Sequence, residues 1–126
     1  MSTHDTARLL IADDDPDLLA AYVLYFSAQG FEIRTARNGL DAFAQYCAWH
    51  PDAALLDVEM PRLDGRALAR RIRYVADTPA PTLVAVTGLA RIEERHESLR
   101  SGFDDHFVKP VAMPIILAAL TRRVRH

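Results

Sequence analysis

Apolar and polar positions along the 126-residue chain fall into a repeating unit: a short apolar run, a turn, then an amphipathic segment. Leu9-Leu10-Ile11-Ala12, Ala53-Ala54-Leu55-Leu56 and Leu83-Val84-Ala85-Val86 are apolar without a break. Strands covered on both faces read this way. Phe31-Glu32-Ile33-Arg34 alternates instead, which predicts a half-exposed strand near an edge, and His106-Phe107-Val108 is a fifth, weaker candidate. Helical stripes fill the gaps. Leu19, Val23 and Phe26 form the first, with Leu18, Tyr22 and Tyr25 beside it. Leu40, Phe43 and Cys47 form the second, and Leu68, Ile72 and Val75 the third. Met113, Ile116, Leu117, Leu120 and Val124 make the cleanest stripe. The segment from Arg91 to Ser101 is the poorest, with Ile92 and Leu99 as its main apolar anchors, and predicts the most loosely held helix.

The punctuation agrees with these elements. Asp15-Pro16 reads as an N-cap followed by proline at the first helical position. Asn38-Gly39 and Asp64-Gly65 can start helices, His50-Pro51 closes one, and Gly30 and Gly102 sit where C-caps belong. Five strand-helix repeats imply a parallel sheet covered on both sides and joined by right-handed crossovers. An alternating second strand suits an edge, and apolar first, third and fourth strands suit the middle. The prediction is an α/β, (βα)5 three-layer sandwich with strand order 2-1-3-4-5, the order of flavodoxin-like folds.

Composition narrows the class. Half the residues are hydrophobic and a quarter charged, as in a globular domain. Fifteen Lys and Arg against seventeen Asp and Glu leave a charge of −2, which gives no general pull toward nucleic acid or anionic membrane. The lone Cys47 excludes an intrachain disulfide and favours a reducing, cytoplasmic setting. No apolar run approaches a membrane span, so membrane insertion is not expected, and Met1 to Arg8 lacks a signal-peptide core.

In an open parallel sheet, chemistry gathers at the carboxyl ends of the strands. Strand one ends in Asp13-Asp14-Asp15, strand three in Asp57, strand four in Thr87 and strand five in Lys109-Pro110. Clustered carboxylates repel one another unless a proton or a cation intervenes. Mg²⁺ takes hard oxygens and keeps several waters, so two or three carboxylates and a backbone carbonyl leave room for a phosphate oxygen. A lysine ammonium and a threonine hydroxyl suit the remaining phosphoryl oxygens. Phosphoryl transfer needs little beyond such positioning and charge neutralisation. Each residue alone has an ordinary reading, and Asp15 reads as a helix cap; the functional reading comes from their joint placement on four strand ends.

Other residues read as structural. Cys47 lies on an apolar stripe and is assigned to the core, and Trp49 to a partly buried helix end. Arg66, Arg70, Arg71 and Arg73 read as the solvated face of the third helix, and Arg122, Arg123 and Arg125 as complements to a helix C-terminus. His4, His50, His96 and His126 show no ligand spacing.

The segments Leu10-Ile11-Ala12-Asp13-Asp14-Asp15, Leu55 through Gly65, Val86-Thr87-Gly88 and Phe107-Val108-Lys109-Pro110 resemble the receiver domain of two-component response regulators, and the resemblance covers Arg8 to about Arg125. It implies a single receiver domain over residues 1–126, with a core of about 8–125 and no output domain. It implies that Asp57 accepts a phosphoryl group from the phosphohistidine of a histidine kinase or histidine phosphotransfer protein. Asp13, Asp14, Asp57 and the backbone carbonyl of Glu59 would hold Mg²⁺, with Mn²⁺ as a substitute. Thr87 and Lys109 would contact the phosphoryl group, and the Lys109-Pro110 bond would be cis. Thr87 and His106 would form the switch, where the family more often has tyrosine or phenylalanine at the second position. The readout would be the surface of the fourth helix, fifth strand and fifth helix, met by an unnamed protein target or by a second copy in a phosphorylation-dependent dimer. Direct nucleic-acid binding is not expected, nor is turnover of a diffusible substrate. Glu59 lies where a hydrolytic water would approach, screened by Leu89, and is expected to set the phosphoryl lifetime.

Three rivals fit less well. A haloacid-dehalogenase-type phosphatase wants Asp-x-Asp, for which Asp57-Val58-Glu59 is a poor version. A flavodoxin-type flavin carrier needs hydroxyls after strand one, where this chain has carboxylates. A docking module that never takes phosphate would not need all the chemical residues present here.

Overall fold

The computed structural model describes residues 6–88 and 92–122. Five strands alternate with five helices: β1 (Arg8–Ala12), α1 (Pro16–Ala28), β2 (Glu32–Ala36), α2 (Gly39–Trp49), β3 (Ala53–Asp57), α3 (Gly65–Val75), β4 (Thr82–Thr87), α4 (Ile92–Arg100), β5 (Asp105–Val108) and α5 (Met113–Thr121). All pairings are parallel, in the order β2-β1-β3-β4-β5. Each unbroken apolar run divides its side chains between two cores, because alternate residues of a strand face opposite ways. Leu10, Ala54, Leu56, Leu83 and Ala85 point to the side covered by α2 and α3. Leu9, Ile11, Leu55, Val84 and Val86 point to the side covered by α1 and α5.

Local chemistry sets the helix ends. The Asp15 carboxylate accepts from the amides of Asp17 and Leu18, with Pro16 at the first helical position. Asn38 and Asp64 cap α2 and α3 in the same way. His50 closes α2 in the left-handed conformation, and Gly30 and Gly102 follow α1 and α4 with φ of +98° and +115°. The Lys109-Pro110 bond is cis, as the resemblance implied, and so is Thr78-Pro79.

Several assignments of helix faces need correction. In α1 the buried stripe is Leu19, Tyr22 and Phe26, so Tyr22 takes the place expected for Val23. In α2 the stripe is rotated by one residue: Gly39, Ala42, Tyr46 and Trp49 are buried, while Leu40 and Cys47 are exposed. The cause is steric. A β-carbon on Gly39 would lie 1.8 Å from the Leu63 carbonyl oxygen, so residue 39 must face inward and must be glycine. Positions three, seven and ten residues later then follow it into the core. Trp49 is accordingly buried, with the Arg34 and Arg8 guanidiniums 4.9 and 5.5 Å from its ring centre. In α3, Leu68 and Ile72 are buried but Val75 is exposed. In α4 both expected anchors, Ile92 and Leu99, are exposed, and the buried residue is Ser98. Val124 of the last stripe lies outside the described residues.

Polar contacts do for α4 what an apolar stripe does elsewhere. Arg66 reaches Glu94 and Ser98, Arg70 Nη1 donates to Ser101 Oγ at 3.0 Å, and Arg73 donates to the carbonyls of Gly102 and Pro81 and pairs with Asp104. Arg71 stacks over Phe43. Arg66 and Arg73 are therefore half-buried braces rather than part of a solvated face, whereas Arg70 and Arg71 are exposed, as expected, while making these contacts. Their spacing of i, i+4 and i+7 over Arg66, Arg70 and Arg73 was the available signal. Arg122 pairs with Asp105 across to β5, whereas Arg123 and Arg125 lie outside the described residues.

Replacing Gly39 with alanine should lower stability by about 2 kcal/mol through overpacking against Leu63. Chemical denaturation checks this: the midpoint should fall with the slope unchanged.

Candidate functional site

The carboxyl ends of β1, β3, β4 and β5 converge on one acidic pocket. The Asp13 amide still belongs to the sheet, donating to the Ala36 carbonyl at 3.1 Å, and its side chain is 1 % exposed. Asp57 closes β3 and is 3 % exposed. One carboxylate oxygen from each of Asp13, Asp14 and Asp57 lies within 4.8 Å of the others. Asp14 is exposed, and the pocket opens to solvent on its side. Asp13 Oδ1 accepts from the Asp15 amide at 2.9 Å, and Asp57 Oδ1 from the Glu59 amide at 3.0 Å. Gly65 makes the second of these turns possible. A β-carbon there would lie 2.5 Å from the Asp57 carbonyl oxygen, and the Gly65 amide donates to Val58 O at 2.9 Å.

Lys109 supplies the counter-charge. Its Nζ lies 3.0 Å from Asp13 Oδ2 and 3.5 Å from Asp57 Oδ2. Its own amide donates to Thr87 O at 2.7 Å, tying the end of β5 to that of β4. Burial pushes the Asp57 carboxyl from 3.8 up to about 6; the Asp13 charge adds to this, while the Glu59 amide and Lys109 oppose it. Burial works against the Lys109 ammonium, but Asp13 and Asp57 outweigh it and hold the group above its usual range. Three hard-oxygen donors with excess negative charge, open on one side, fit a small divalent cation.

Thr87 is fully buried at the end of β4. Its hydroxyl donates to Glu59 Oε1 at 3.3 Å, and the Gly88 amide donates to the same oxygen at 3.0 Å. The sequence reading placed Glu59 near the site but missed this pairing, which no spacing rule signals across 28 residues. It also missed Arg37, whose guanidinium reaches the Asp14 carbonyl at 3.5 Å. Leu89, the expected apolar screen, lies outside the described residues.

His106 faces Ala85 in the sheet register and is 3 % exposed. Neither ring nitrogen has a hydrogen-bond partner among the described residues. Burial holds the imidazole below its ordinary 6.5; Arg95 and Arg66 add to this and Glu94 opposes it. Arg95 also donates to the His106 carbonyl at 3.3 Å. The ring thus sits neutral against α4.

Residues 9–121 match the response regulator receiver domain family. The chain belongs to that family. It is 36 % identical over 118 residues to the transcriptional regulatory protein PrrA of Mycobacterium leprae, covering 94 % of this chain and 48 % of the relative. Against the response regulator MprA of Mycobacterium bovis the identity is 36 % over 123 residues, covering 95 % and 53 %. The chain thus spans about half the length of these curated relatives. A CheY-like receiver domain from Methanospirillum hungatei superposes with a TM-score of 0.87 at 26 % identity, covering 95 % of this chain and 94 % of the other. The receiver domain of Francisella response regulator 1452 gives 0.84 at 26 %, covering 94 % and 99 %. Receiver domains are components of two-component signalling rather than metabolic enzymes. No helix among the described residues is long and apolar enough to cross a membrane.

The neutral burial of His106 has a pH signature. Unfolding frees the ring to protonate at its ordinary 6.5, so the unfolded chain binds the extra proton and stability is lost as pH falls below that value. Relative to His106→Phe, the wild type should lose stability from pH 7 to 5, by at most about 1.4 kcal/mol per pH unit. Paired denaturation curves at each pH measure this, and parallel profiles would contradict it.

Proposed function

We propose that this receiver acts as a divalent-cation-dependent phosphoswitch in which Asp57 takes a phosphoryl group from a phosphohistidine. The observation that carries the reading is Lys109 Nζ bridging Asp13 and Asp57 beside the three-carboxylate cluster. In the transfer, an Asp57 carboxylate oxygen forms the new bond to phosphorus as the phosphorus-nitrogen bond breaks. The bond's electron pair leaves with the imidazole. With its carboxyl at about 6, Asp57 is mostly ionised at neutral pH and so is the nucleophilic form. Asp13, Asp14, Asp57 and the Glu59 carbonyl are the ligands we assign to Mg²⁺, with Mn²⁺ as a substitute. Bound there, the cation would neutralise charge on the transferred group and the carboxylates. Lys109 pairs with one phosphoryl oxygen, and the Thr87 hydroxyl donates to another.

The phosphoaspartyl group adds charge and acceptor oxygens at the pocket. Thr87 is drawn to it, and His106, two residues before Thr87's register partner Val108 on β5, repacks against α4. Ile92, Leu99, Val108 and Ile115 already expose apolar surface on α4, β5 and α5, which supports that face as the readout for a protein target or a second copy. A histidine kinase or histidine phosphotransfer donor and a cytoplasmic setting go with this reading. PrrA is named as a transcriptional regulator, so transcriptional control is the output class that the likeness favours. We assign this segment no nucleic-acid contact of its own and no turnover of a diffusible substrate.

Labelled histidine kinases of the host should transfer phosphate to the wild type in Mg²⁺. Chelation should abolish the transfer, and Asp57→Asn should accept none. Labelling of Asp57→Asn to the wild-type level would overturn the assignment. Wild-type labelling undiminished by chelation would remove the cation from it.

A further inference from the structure

Glu59 is tied to the pocket at both ends. Its backbone amide donates to Asp57 Oδ1 at 3.0 Å. Its side chain reaches over to the end of β4, where one oxygen, Oε1, receives both the Thr87 hydroxyl at 3.3 Å and the Gly88 amide at 3.0 Å. A hydroxyl and a backbone amide converging on one anionic oxygen make a small oxyanion site, and the chain fills that site with its own carboxylate. The backbone is fitted to it: a β-carbon on Gly88 would come within 3.3 Å of Oε1. Glu59 and Gly88 both lie at the solvent-exposed rim, so the side chain can leave without opening the core.

We propose that Glu59 is a positioning residue that acts as an internal stand-in for the phosphoryl group, holding Thr87 and Gly88 until phosphorylation of Asp57 displaces it. This rests on Asp57 being the phosphoacceptor. The phosphoryl oxygens and the Glu59 carboxylate compete for the same donors, and two anions beside each other repel. The incoming group therefore expels Glu59 to solvent and takes over its hydrogen bonds. Before that moment the donors are satisfied and aligned, so the switch rests in a defined state. The latch opposes occupancy of the pocket by roughly what the surrendered hydrogen bonds are worth, about 3- to 30-fold in affinity.

The test is a double-mutant cycle on binding of beryllium trifluoride with Mg²⁺, followed by amide NMR. Glu59→Ala should bind the phosphoryl mimic about tenfold more tightly than wild type. Glu59→Gln keeps a weaker, neutral acceptor in place and should fall between the two. When Thr87→Ala has already removed the hydroxyl, the gain from Glu59→Ala should shrink severalfold. In the ligand-free protein, Glu59→Ala should move the Gly88 amide proton upfield and speed its exchange. An equal gain from Glu59→Ala with and without the Thr87 hydroxyl would mean that charge alone acts, and would overturn the latch while leaving the receiver reading intact. A wild type and variants that all fail to bind the mimic would instead overturn the receiver reading itself, and the latch with it.

Discussion

Two buried carboxylates, Asp13 and Asp57, share one ammonium, that of Lys109, and most of this molecule can be understood from that imbalance. Like charges that close are tolerated only where the backbone leaves them no alternative. Here the sheet imposes it. Asp13 and Asp57 end two hydrogen-bonded neighbouring strands, β1 and β3. Lys109 is brought in from β5, whose end is tied to β4 through the Thr87 carbonyl. The pocket is thus left with an excess of negative charge and an open side at Asp14, a poised state suited to a cation and to a group carrying oxygens.

The same economy governs the surroundings. Glycine appears where strand ends and loops press together: Gly65 against the Asp57 carbonyl and Gly39 against that of Leu63. Each allows a backbone approach that a β-carbon would forbid, and each fixes which way a helix faces. Away from the pocket, α4 depends on arginine braces from α3 and contributes little buried apolar surface. A helix held by exchangeable polar contacts can shift with less loss of packing than one keyed into a core. That suits the helix packed against β5, where the buried His106 ring nitrogens have no hydrogen-bond partner among the described residues.

Strands, caps and pocket residues were legible from the chain because their signals are local. An unbroken apolar run means burial on both faces whatever lies beyond it, and Asp15-Pro16 caps a helix on its own terms. Parallel topology then leaves little freedom in where the strand ends meet, so Asp13, Asp57, Thr87 and Lys109 could be grouped although up to 96 residues separate them.

What the chain could not reveal by itself were choices settled between elements. The inward face of α2 is decided by the Leu63 carbonyl pressing on Gly39, not by which stripe is most apolar, so Cys47 is exposed and Trp49 buried. Arginines on α3 became braces because α4 offers Glu94 and Ser98, and the turn after it Ser101 and the Gly102 carbonyl, at matching heights. The Glu59 carboxylate meets Thr87 and Gly88 only because β3 and β4 lie side by side. Periodicity and capping act over a few residues and are written in the order of the amino acids; close approach and long-range hydrogen bonding exist only once the layers have packed.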